Sequence, residues 1–277
     1  MDPKEFYSRI TLTEKEDSIM NQKKVAGKIT RKSMLYKTGV EYGDYCANFV
    51  QGCAHGCKYP CYAMLIAKRT GRAKTYEEWC KPYLVENTLD LLDKEIPKLK
   101  GKIECVELCF ATDPFMYEYP EVQEMAYKVI KKLNDNDIKC MVITKGILPI
   151  SLADLSKENV YGITLVSLDE DYREEYEPNA APLADRLAAL KALHDKGCKT
   201  MISCEPYPTP NIHEQDLGEL LEAVSFVDRI IFGRAHYNKE ISSYKEHKKF
   251  YNERAKEVVD FCTEHGIDYH IKAKTIS

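Results

Sequence analysis

Three closely spaced cysteines are the feature that most constrains this chain. Cys53, Cys57 and Cys61 lie on one short segment, with three residues between each neighbouring pair. Cysteine thiolates are the usual ligands of iron–sulfur clusters, and close spacing lets a single loop wrap the metal. Zinc also accepts short cysteine loops, with His55 or another cysteine as fourth ligand, so the spacing alone leaves both metals open. A cluster held by three cysteines keeps one iron open to a small molecule.

The composition sets the outer limits. The 277 residues are 44% hydrophobic, which is enough to bury the core of one large domain. No apolar run approaches the roughly 20 residues that cross a bilayer, and the polar start lacks a secretory signal, so we expect a cytoplasmic protein without a membrane partner. Eleven cysteines in such a chain indicate metal ligands and reduced core residues. The net charge of −4 provides no overall positive field, so nucleic acid is not a favoured partner.

Short apolar runs alternate with helical stretches along most of the chain, which predicts βα units and a largely parallel sheet. A first strand is predicted near residues 47–50, and the later strands at 102–110, 138–144, 160–167, 199–205, 229–234 and 268–273. The predicted helices are 76–96, 119–135, 150–157, 182–196, 212–224 and 248–265. Residues 1–40 are charged and weakly periodic, so we expect an N-terminal extension that packs on a single domain formed by residues 41–277.

Residues 52–63, which carry the three cysteines, resemble the cluster loop of the radical S-adenosylmethionine (SAM) superfamily, in the branch of spore photoproduct lyase and its uncharacterised relatives. The resemblance continues in order through residues 48–63, 111–114, 143–146, Ser167, 177–178 and 186–187. It implies an α/β fold, a partial (β/α)6 TIM-like barrel that ends in a helix and a strand. It also implies that Cys53, Cys57 and Cys61 bind a [4Fe-4S] cluster.

The loop departs from the usual Cys-x3-Cys-x2-Cys spacing of the family, because Pro60 lengthens the last gap to three residues. Proline fixes φ and removes a backbone donor, which indicates a reshaped loop. In the family an aromatic residue before the last cysteine lies near the adenine of SAM. Either Tyr59 or Tyr62 takes that place here.

The resemblance implies an enzyme in which the reduced cluster transfers an electron to SAM, and the resulting 5′-deoxyadenosyl radical abstracts hydrogen from an unidentified substrate. An electron donor such as flavodoxin or ferredoxin is then required. Two alternatives stay open: a DNA repair enzyme like spore photoproduct lyase, and a non-catalytic iron–sulfur or metal-binding protein.

Sites in parallel α/β folds form at the carboxyl ends of the strands. The residues there for which the resemblance implies contact with SAM are Thr112, Asp113, Lys145, Ser167, Glu177 and Arg186. Local chemistry offers plainer explanations for several of them. Asp113 would cap the turn before Pro114, Lys145 would be an ordinary solvated lysine, and Glu177 with Arg186 would brace a helix.

The substrate side is less defined. Cys109, Cys204 and Tyr237 are the candidate catalytic residues, because they lie near predicted strand ends. Residues 234–238 also form a polar group on a loop at the same edge, and we expect them to face the substrate. In the lyase the hydrogen-donating cysteine aligns with Phe110, one residue from Cys109. A shift of one residue reverses a side chain on a strand, which weakens the DNA repair alternative.

Overall fold

The computed structural model describes residues 22–41 and 43–277. The strands in this part of the chain are β1 Gly27–Ile29, β2 Leu35–Lys37, β3 Tyr45–Ala47, β4 Val50–Gln51, β5 Tyr83–Val85, β6 Cys105–Leu108, β7 Lys139–Thr144, β8 Val160–Thr164, β9 Lys199–Tyr207, β10 Arg229–Arg234 and β11 Asp268–Ile271. The helices are α1 Tyr62–Arg69, α2 Tyr76–Trp79, α3 Thr88–Leu99, α4 Pro120–Asn134, α5 Glu170–Tyr176, α6 Leu183–Asp195, α7 Leu217–Ala223, α8 Lys239–Ser243 and α9 His247–His265.

An eight-stranded sheet forms the centre of the molecule, in the order β11-β10-β9-β8-β7-β6-β3-β2. All neighbouring strands are parallel except β2, which runs antiparallel to β3. The strand–helix alternation predicted from the sequence therefore produces the expected parallel sheet. Parallel connections need a long crossover, and the helices that follow β6, β8 and β9 supply it.

The sheet is apolar on both faces. Side chains of α4 at Val122, Ala126, Val129 and Ile130 are fully buried and belong to the same core cluster as the outer face of the strands. On the inner face Met141, Met201 and Ile231 form a separate apolar cluster. Strands buried on both faces are typical of a parallel sheet that is covered on each side.

The two edges of this sheet come together. Glu41, in the loop after β2, accepts a hydrogen bond from the backbone N–H of Ala273, just beyond β11, at 3.0 Å. The same carboxylate oxygen lies 2.8 Å from Nε2 of His270. Among the described residues β2 and β11 form no strand pair, so a side chain bridges the opening of the curled sheet.

A second, three-stranded sheet has the order β1-β5-β4 and accounts for two differences from the sequence prediction. The predicted helix over 76–96 is divided into α2 and α3, because Pro82 cannot donate a helical hydrogen bond and the residues after it pair with β1. The predicted first strand is also divided, since β3 joins the large sheet and β4 the small one.

Other elements differ in length. Residues 150–154 form a 3-10 helix where an α-helix over 150–157 was predicted, and α1, α5 and α8 were not predicted. Of the predicted extension, residues 1–21 lie outside the described residues, whereas β1 and β2 pair with β5 and β3. The boundary near residue 40 stays a prediction. Within residues 22–41 and 43–277 no helix has the length and apolarity to cross a membrane.

Candidate cluster and SAM site

The cysteine loop begins at Gly52, a position that has no room for a side chain. Gly52 has φ +85°, and a Cβ atom there would lie 2.5 Å from the carbonyl oxygen of Lys81. The next residue, Cys53, donates its backbone N–H to the carbonyl of Trp79 at 2.9 Å. The first cysteine is therefore fixed against the segment that follows α2.

The rest of the loop is held from two other directions. The hydroxyl of Tyr76 donates a hydrogen bond to the carbonyl of Gly56, and the backbone N–H of Lys58 donates to the carbonyl of Tyr176 at 2.8 Å. The loop ends at Cys61, which occupies the N-cap position of α1. The Cys61 side chain makes no capping hydrogen bond, so its sulfur remains available for a metal.

The chemistry of the three thiols fits a metal cluster. All three are free and partly exposed. Burial raises the pKa of Cys57 to about 12, although the positive charge of Lys145 opposes this. Burial also raises the pKa of Cys53, and the charges of Asp113, Cys57 and Cys61 add to the effect. Bound iron would remove this penalty, because metal binding releases thiol protons and offsets the repulsion between thiolates.

The zinc alternative is less well matched. Among residues 22–41 and 43–277, no three His, Cys, Asp or Glu side chains converge closely enough to hold a single ion. His55, the suggested fourth ligand, is buried and engaged through both ring nitrogens. Its Nε2 accepts the backbone N–H of Tyr117 at 2.9 Å, and its Nδ1 lies 3.4 Å from Asp113. Zinc at about 2.3 Å from each sulfur would need a tighter arrangement.

Asp113 connects the cysteine loop to the ends of two strands. One carboxylate oxygen accepts the backbone N–H of Phe115 at 2.9 Å and the hydroxyl of Thr144 at 2.6 Å. The other accepts the backbone N–H of Lys145 at 2.9 Å and faces His55. Burial alone would raise the pKa of Asp113, but His55 and these donors outweigh it and hold the pKa below its usual range. Four internal contacts match the accepting capacity of a carboxylate.

A buried ionic network lies beside Cys57. Glu177 is 2.8 Å from a guanidinium nitrogen of Arg186, 3.8 Å from Nζ of Lys145 and 3.0 Å from the hydroxyl of Tyr59. Lys145 also lies 5.7 Å from the centre of the Tyr59 ring. Burial opposes ionisation of Glu177, but Lys145 and Arg186 hold its pKa below the ordinary value. The structure thus brings four sequence-predicted residues together next to one predicted ligand.

Ser167 lies just after the carboxyl end of β8 and has hydrogen-bond partners outside the Glu177 network. Its buried hydroxyl accepts the backbone N–H of Asp169 at 3.0 Å and lies 3.2 Å from Nε2 of His213. The His213 ring packs against Tyr172, at 4.8 Å between centroids. Sequence reasoning missed His213, because it lies in a loop without a recognisable motif and meets Ser167 only after folding.

The three candidate catalytic residues differ in burial. Cys204 does not face the mouth as predicted, because it is fully buried in the core between the sheet and the helices. Cys109 is also buried, at 1% exposure, with φ +52°. Tyr237 is 72% exposed, and its neighbour Asn238 caps α8 through hydrogen bonds from Glu240 and Ile241.

Thr112 lies in the loop after β6, and Tyr62 is the first residue of α1. The Tyr62 hydroxyl donates to the carbonyl of Phe110, and the two rings are 5.3 Å apart. Tyr59 is buried beside Lys145, whereas Tyr62 is exposed. Arg234 ends β10 and contributes to a positive environment, because burial lowers the pKa of His236 and the charges of Arg234, Lys274 and Lys272 lower it further.

Three known proteins are informative. An uncharacterized protein of Acidianus two-tailed virus is 26% identical over 195 residues, which cover 67% of this chain and 64% of the viral protein. The chain thus spans less than two thirds of that relative. An uncharacterized protein of Methanocaldococcus jannaschii is 27% identical over 191 residues, covering 68% of this chain and 69% of the archaeal protein.

The fold has a counterpart among solved structures. Spore photoproduct lyase complexed with dinucleoside spore photoproduct aligns with a TM-score of 0.65 and 14% identity, covering 88% of this chain and 80% of the lyase. At this identity the likeness shows the fold alone, a partial TIM-type barrel. The family model of the radical SAM superfamily matches residues 47–224, which include the cysteine loop, Asp113, Lys145 and Glu177.

This match spans well over half of the chain. The chain therefore belongs to the radical SAM superfamily, a class of enzymes that use a [4Fe-4S] cluster and SAM.

Proposed function

We propose that this enzyme cleaves SAM reductively and directs the resulting radical to hydrogen abstraction from a substrate. The observation that carries the proposal is the arrangement of Cys53, Cys57 and Cys61 on one anchored loop, with Lys145 beside Cys57. The thiols would hold the cluster, which supplies one electron to SAM when bound. An external reductant such as flavodoxin or ferredoxin would restore that electron.

Lys145 is proposed to bind the carboxylate of SAM through a charge-assisted hydrogen bond. Its ammonium group is held between Glu177 and the face of the Tyr59 ring, so its position is defined before SAM arrives. Negative charge from Glu177 and then Cys57 raises the pKa of Lys145 against the effect of burial, which keeps the group cationic. A fixed cation loses little conformational freedom on binding.

Asp113 and His55 are proposed as positioning residues. Asp113 has no accepting position left for a ligand, because its four contacts join the cysteine loop to residues 115, 144 and 145. Its role would be to keep the cysteines at a fixed place relative to Lys145. Glu177 and Arg186 would act in the same way, by holding Lys145 and Tyr59.

The DNA repair alternative rests on the fold shared with spore photoproduct lyase. A repair reaction of the kind expected from the resemblance would need a hydrogen-donating thiol at the open end of the barrel, next to the substrate. Cys109 is buried in the core cluster, so no residue-level observation here favours that reaction over another. A shared fold hosts many substrates.

The test is anaerobic reconstitution with iron and sulfide, followed by reduction with dithionite in the presence of SAM. We expect mass spectrometry to detect 5′-deoxyadenosine, and iron analysis to find a cluster that Cys57→Ala loses. Cys80→Ala is the matched control, because Cys80 is also partly exposed and lies near the loop at Gly56. That variant should keep its iron.

Two outcomes would contradict the proposal. One is a reconstituted protein that neither binds nor cleaves SAM, which would favour a non-catalytic metal protein. The other is equal iron content in the wild type and Cys57→Ala, which would remove the cysteine loop as the cluster site.

A further inference from the structure

A narrow cleft opens beside the cysteine loop, with Gly52 and Ala63 in its lining. Its walls come from α1, from the segment after α2 and from the ends of β3 and β6. Three basic side chains line it, namely Arg31, Arg72 and Lys81. Glu78 is the only acidic residue of its lining, so the charges sum to +2.

Neither guanidinium group has an ionic partner among residues 22–41 and 43–277. Within the described ranges no carboxylate lies within 4.0 Å of Arg31 or Arg72, whereas many other basic residues have one. Burial lowers the pKa of Arg31, and the nearby charge of Arg72 lowers it further. Two like charges held in one cleft without a counter-ion repel each other and favour a bound anion.

Arg31 is held in place from both ends. Its backbone N–H donates to the side chain of Asn87 at 3.0 Å, and its carbonyl accepts from the same side chain at 2.9 Å. One of its guanidinium nitrogens donates to the carbonyl of Asn48 at 2.9 Å. The remaining donors of the planar group can serve a ligand without ordering a mobile side chain.

Thr112 adds an uncharged donor to the same cleft. Its hydroxyl oxygen is buried and makes no hydrogen bond of normal geometry to the described part of the chain, although the Cys109 thiol lies beside it. A buried hydroxyl with only a weakly bonding thiol beside it keeps part of its desolvation cost, which a ligand would recover. Thr112, for which the sequence predicts contact with SAM, lines this cleft.

The cleft shares a rigid wall with the cysteine loop. Gly52 lies against the carbonyl oxygens of Trp79 and Lys81, and Cys53 bonds to the same Trp79 carbonyl. A group bound in the cleft would therefore sit at a fixed distance from the predicted cluster. This is the arrangement required of a handle that positions the remainder of a substrate for reaction.

We propose that Arg31 and Arg72, with Thr112 and Lys81, bind a phosphate group of the substrate. Two guanidinium forks and a hydroxyl can surround three phosphate oxygens, and a net charge of +2 matches a phosphate monoester dianion. The assignment to a substrate rests on the proposed function, but the anion site can be measured without SAM cleavage.

The test is isothermal titration calorimetry at low ionic strength. The reconstituted holoenzyme is titrated separately with inorganic phosphate, uridine 5′-monophosphate and uridine. We expect the two phosphates to bind and uridine to bind far more weakly. Arg72→Gln should weaken phosphate binding roughly tenfold or more, since a hydrogen bond to a charged group is lost. Arg31→Lys should weaken it too, because lysine lacks the planar fork.

Arg69→Gln is the matched control, because Arg69 is an exposed arginine near the end of α1 that does not line the cleft. A short single-stranded oligonucleotide without terminal phosphates forms a further arm. Tighter binding of the nucleotide assigns a phosphate monoester, and tighter binding of the oligonucleotide assigns a phosphodiester. Either result supports a phosphate site if the Arg31→Lys and Arg72→Gln variants bind that ligand more weakly than the wild type does.

Three results would overturn the proposal. These are the absence of phosphate binding, equal weakening by Arg69→Gln and Arg72→Gln, and displacement of phosphate by SAM, which would assign the cleft to the cofactor. Production of 5′-deoxyadenosine is measured on the same samples. If the wild type makes no 5′-deoxyadenosine, the result counts against the proposed function. If it makes this product but does not bind phosphate, the result counts against the phosphate site alone.

Discussion

At the scale of single residues, the site depends on charges that are buried together. Glu177 reaches Arg186, Lys145 and Tyr59, which come from separate segments of the chain. Arg186 is fully buried and also donates to the carbonyl oxygens of Ala181 and Thr164. A buried pair of this kind contributes specificity more surely than net stability, but removing one partner is costly.

Arg186→Met should destabilise the protein by about 3–5 kcal/mol, because it leaves Glu177 buried with less compensating charge. Urea unfolding measures the change. Lys191→Met on the same helix is the control, since Lys191 forms an exposed pair with Asp195 and its loss should change the free energy of unfolding by about 0.5 kcal/mol or less. Similar effects of the two substitutions would contradict the network.

Glu107 is a second buried acid with a different environment. Both carboxylate oxygens are buried, and a Cβ atom on Gly43 would lie 2.5 Å from one of them. Burial raises the pKa of Glu107 to about 7, although Lys272 and Thr38 favour the charged form. Between its unfolded pKa of about 4.3 and this value, the folded state binds more protons, so stability falls as pH rises.

Glu107→Gln should therefore be more stable than the wild type at pH 8, by roughly 2–3 kcal/mol, and the gain should shrink toward pH 5. Thermal or urea unfolding across this range measures the difference. The exposed Glu124→Gln provides a control that should show no such trend. A gain that is independent of pH would mean that Glu107 is ionised with an ordinary pKa.

At the scale of elements, glycines decide how closely the strand ends approach. Gly146 follows β7, and a Cβ atom there would lie 1.7 Å from the carbonyl oxygen of Phe115. The obstacle is backbone, which cannot rotate away like a side chain. The segments that carry Asp113 and Lys145 can meet only because this position has no side chain.

Gly146→Ala should destabilise the protein by more than about 2 kcal/mol or prevent folding, because the clash forces the backbone apart. Gly39→Ala is the control, since no atom of the described residues, apart from its chain neighbours, lies within 4 Å of the added Cβ. The melting temperatures and soluble yields of the two variants give the comparison. An unchanged melting temperature for Gly146→Ala would show that this contact is not close.

The sequence predicts secondary structure well where the spacing of apolar residues and the length of the segment indicate the same type of element. α4, α6 and α9 were placed within a few residues, as were β7 and β10. The predicted helix over 76–96 was wrong, because the period alone did not reveal that residues 83–85 pair with a strand more than fifty residues earlier. Short elements such as α5 have too few residues to establish a period.

At the scale of the whole molecule, the curled sheet is bridged at its edges by Glu41 rather than by a strand ladder. A bridge through one side chain forms fewer backbone hydrogen bonds than a pair of adjacent strands does. We therefore expect β11 to open more readily than the central strands.

Glu41→Gln should speed amide hydrogen exchange in β11 while changing global stability by only about 1 kcal/mol, since it weakens one partly exposed bridge. Hydrogen exchange followed by mass spectrometry measures this. Glu246→Gln is the control, because the Glu246 carboxylate forms an ion pair with nearby Lys249 and lies far along the chain from β11. Unchanged exchange in Asp268–Ile271 would show that Glu41 does not secure this edge.

The sequence by itself determined the local features: the three cysteines on one loop, the strand–helix alternation and the residues that follow each strand. These are properties of short segments, so spacing and period reveal them. Only the tertiary structure decided that His55 meets Asp113, that Glu177 meets Tyr59 across 118 residues, and that Cys204 faces the core. Such pairings depend on sheet order, strand register and burial, and side chains distant in sequence acquire partners only when the chain has closed around them.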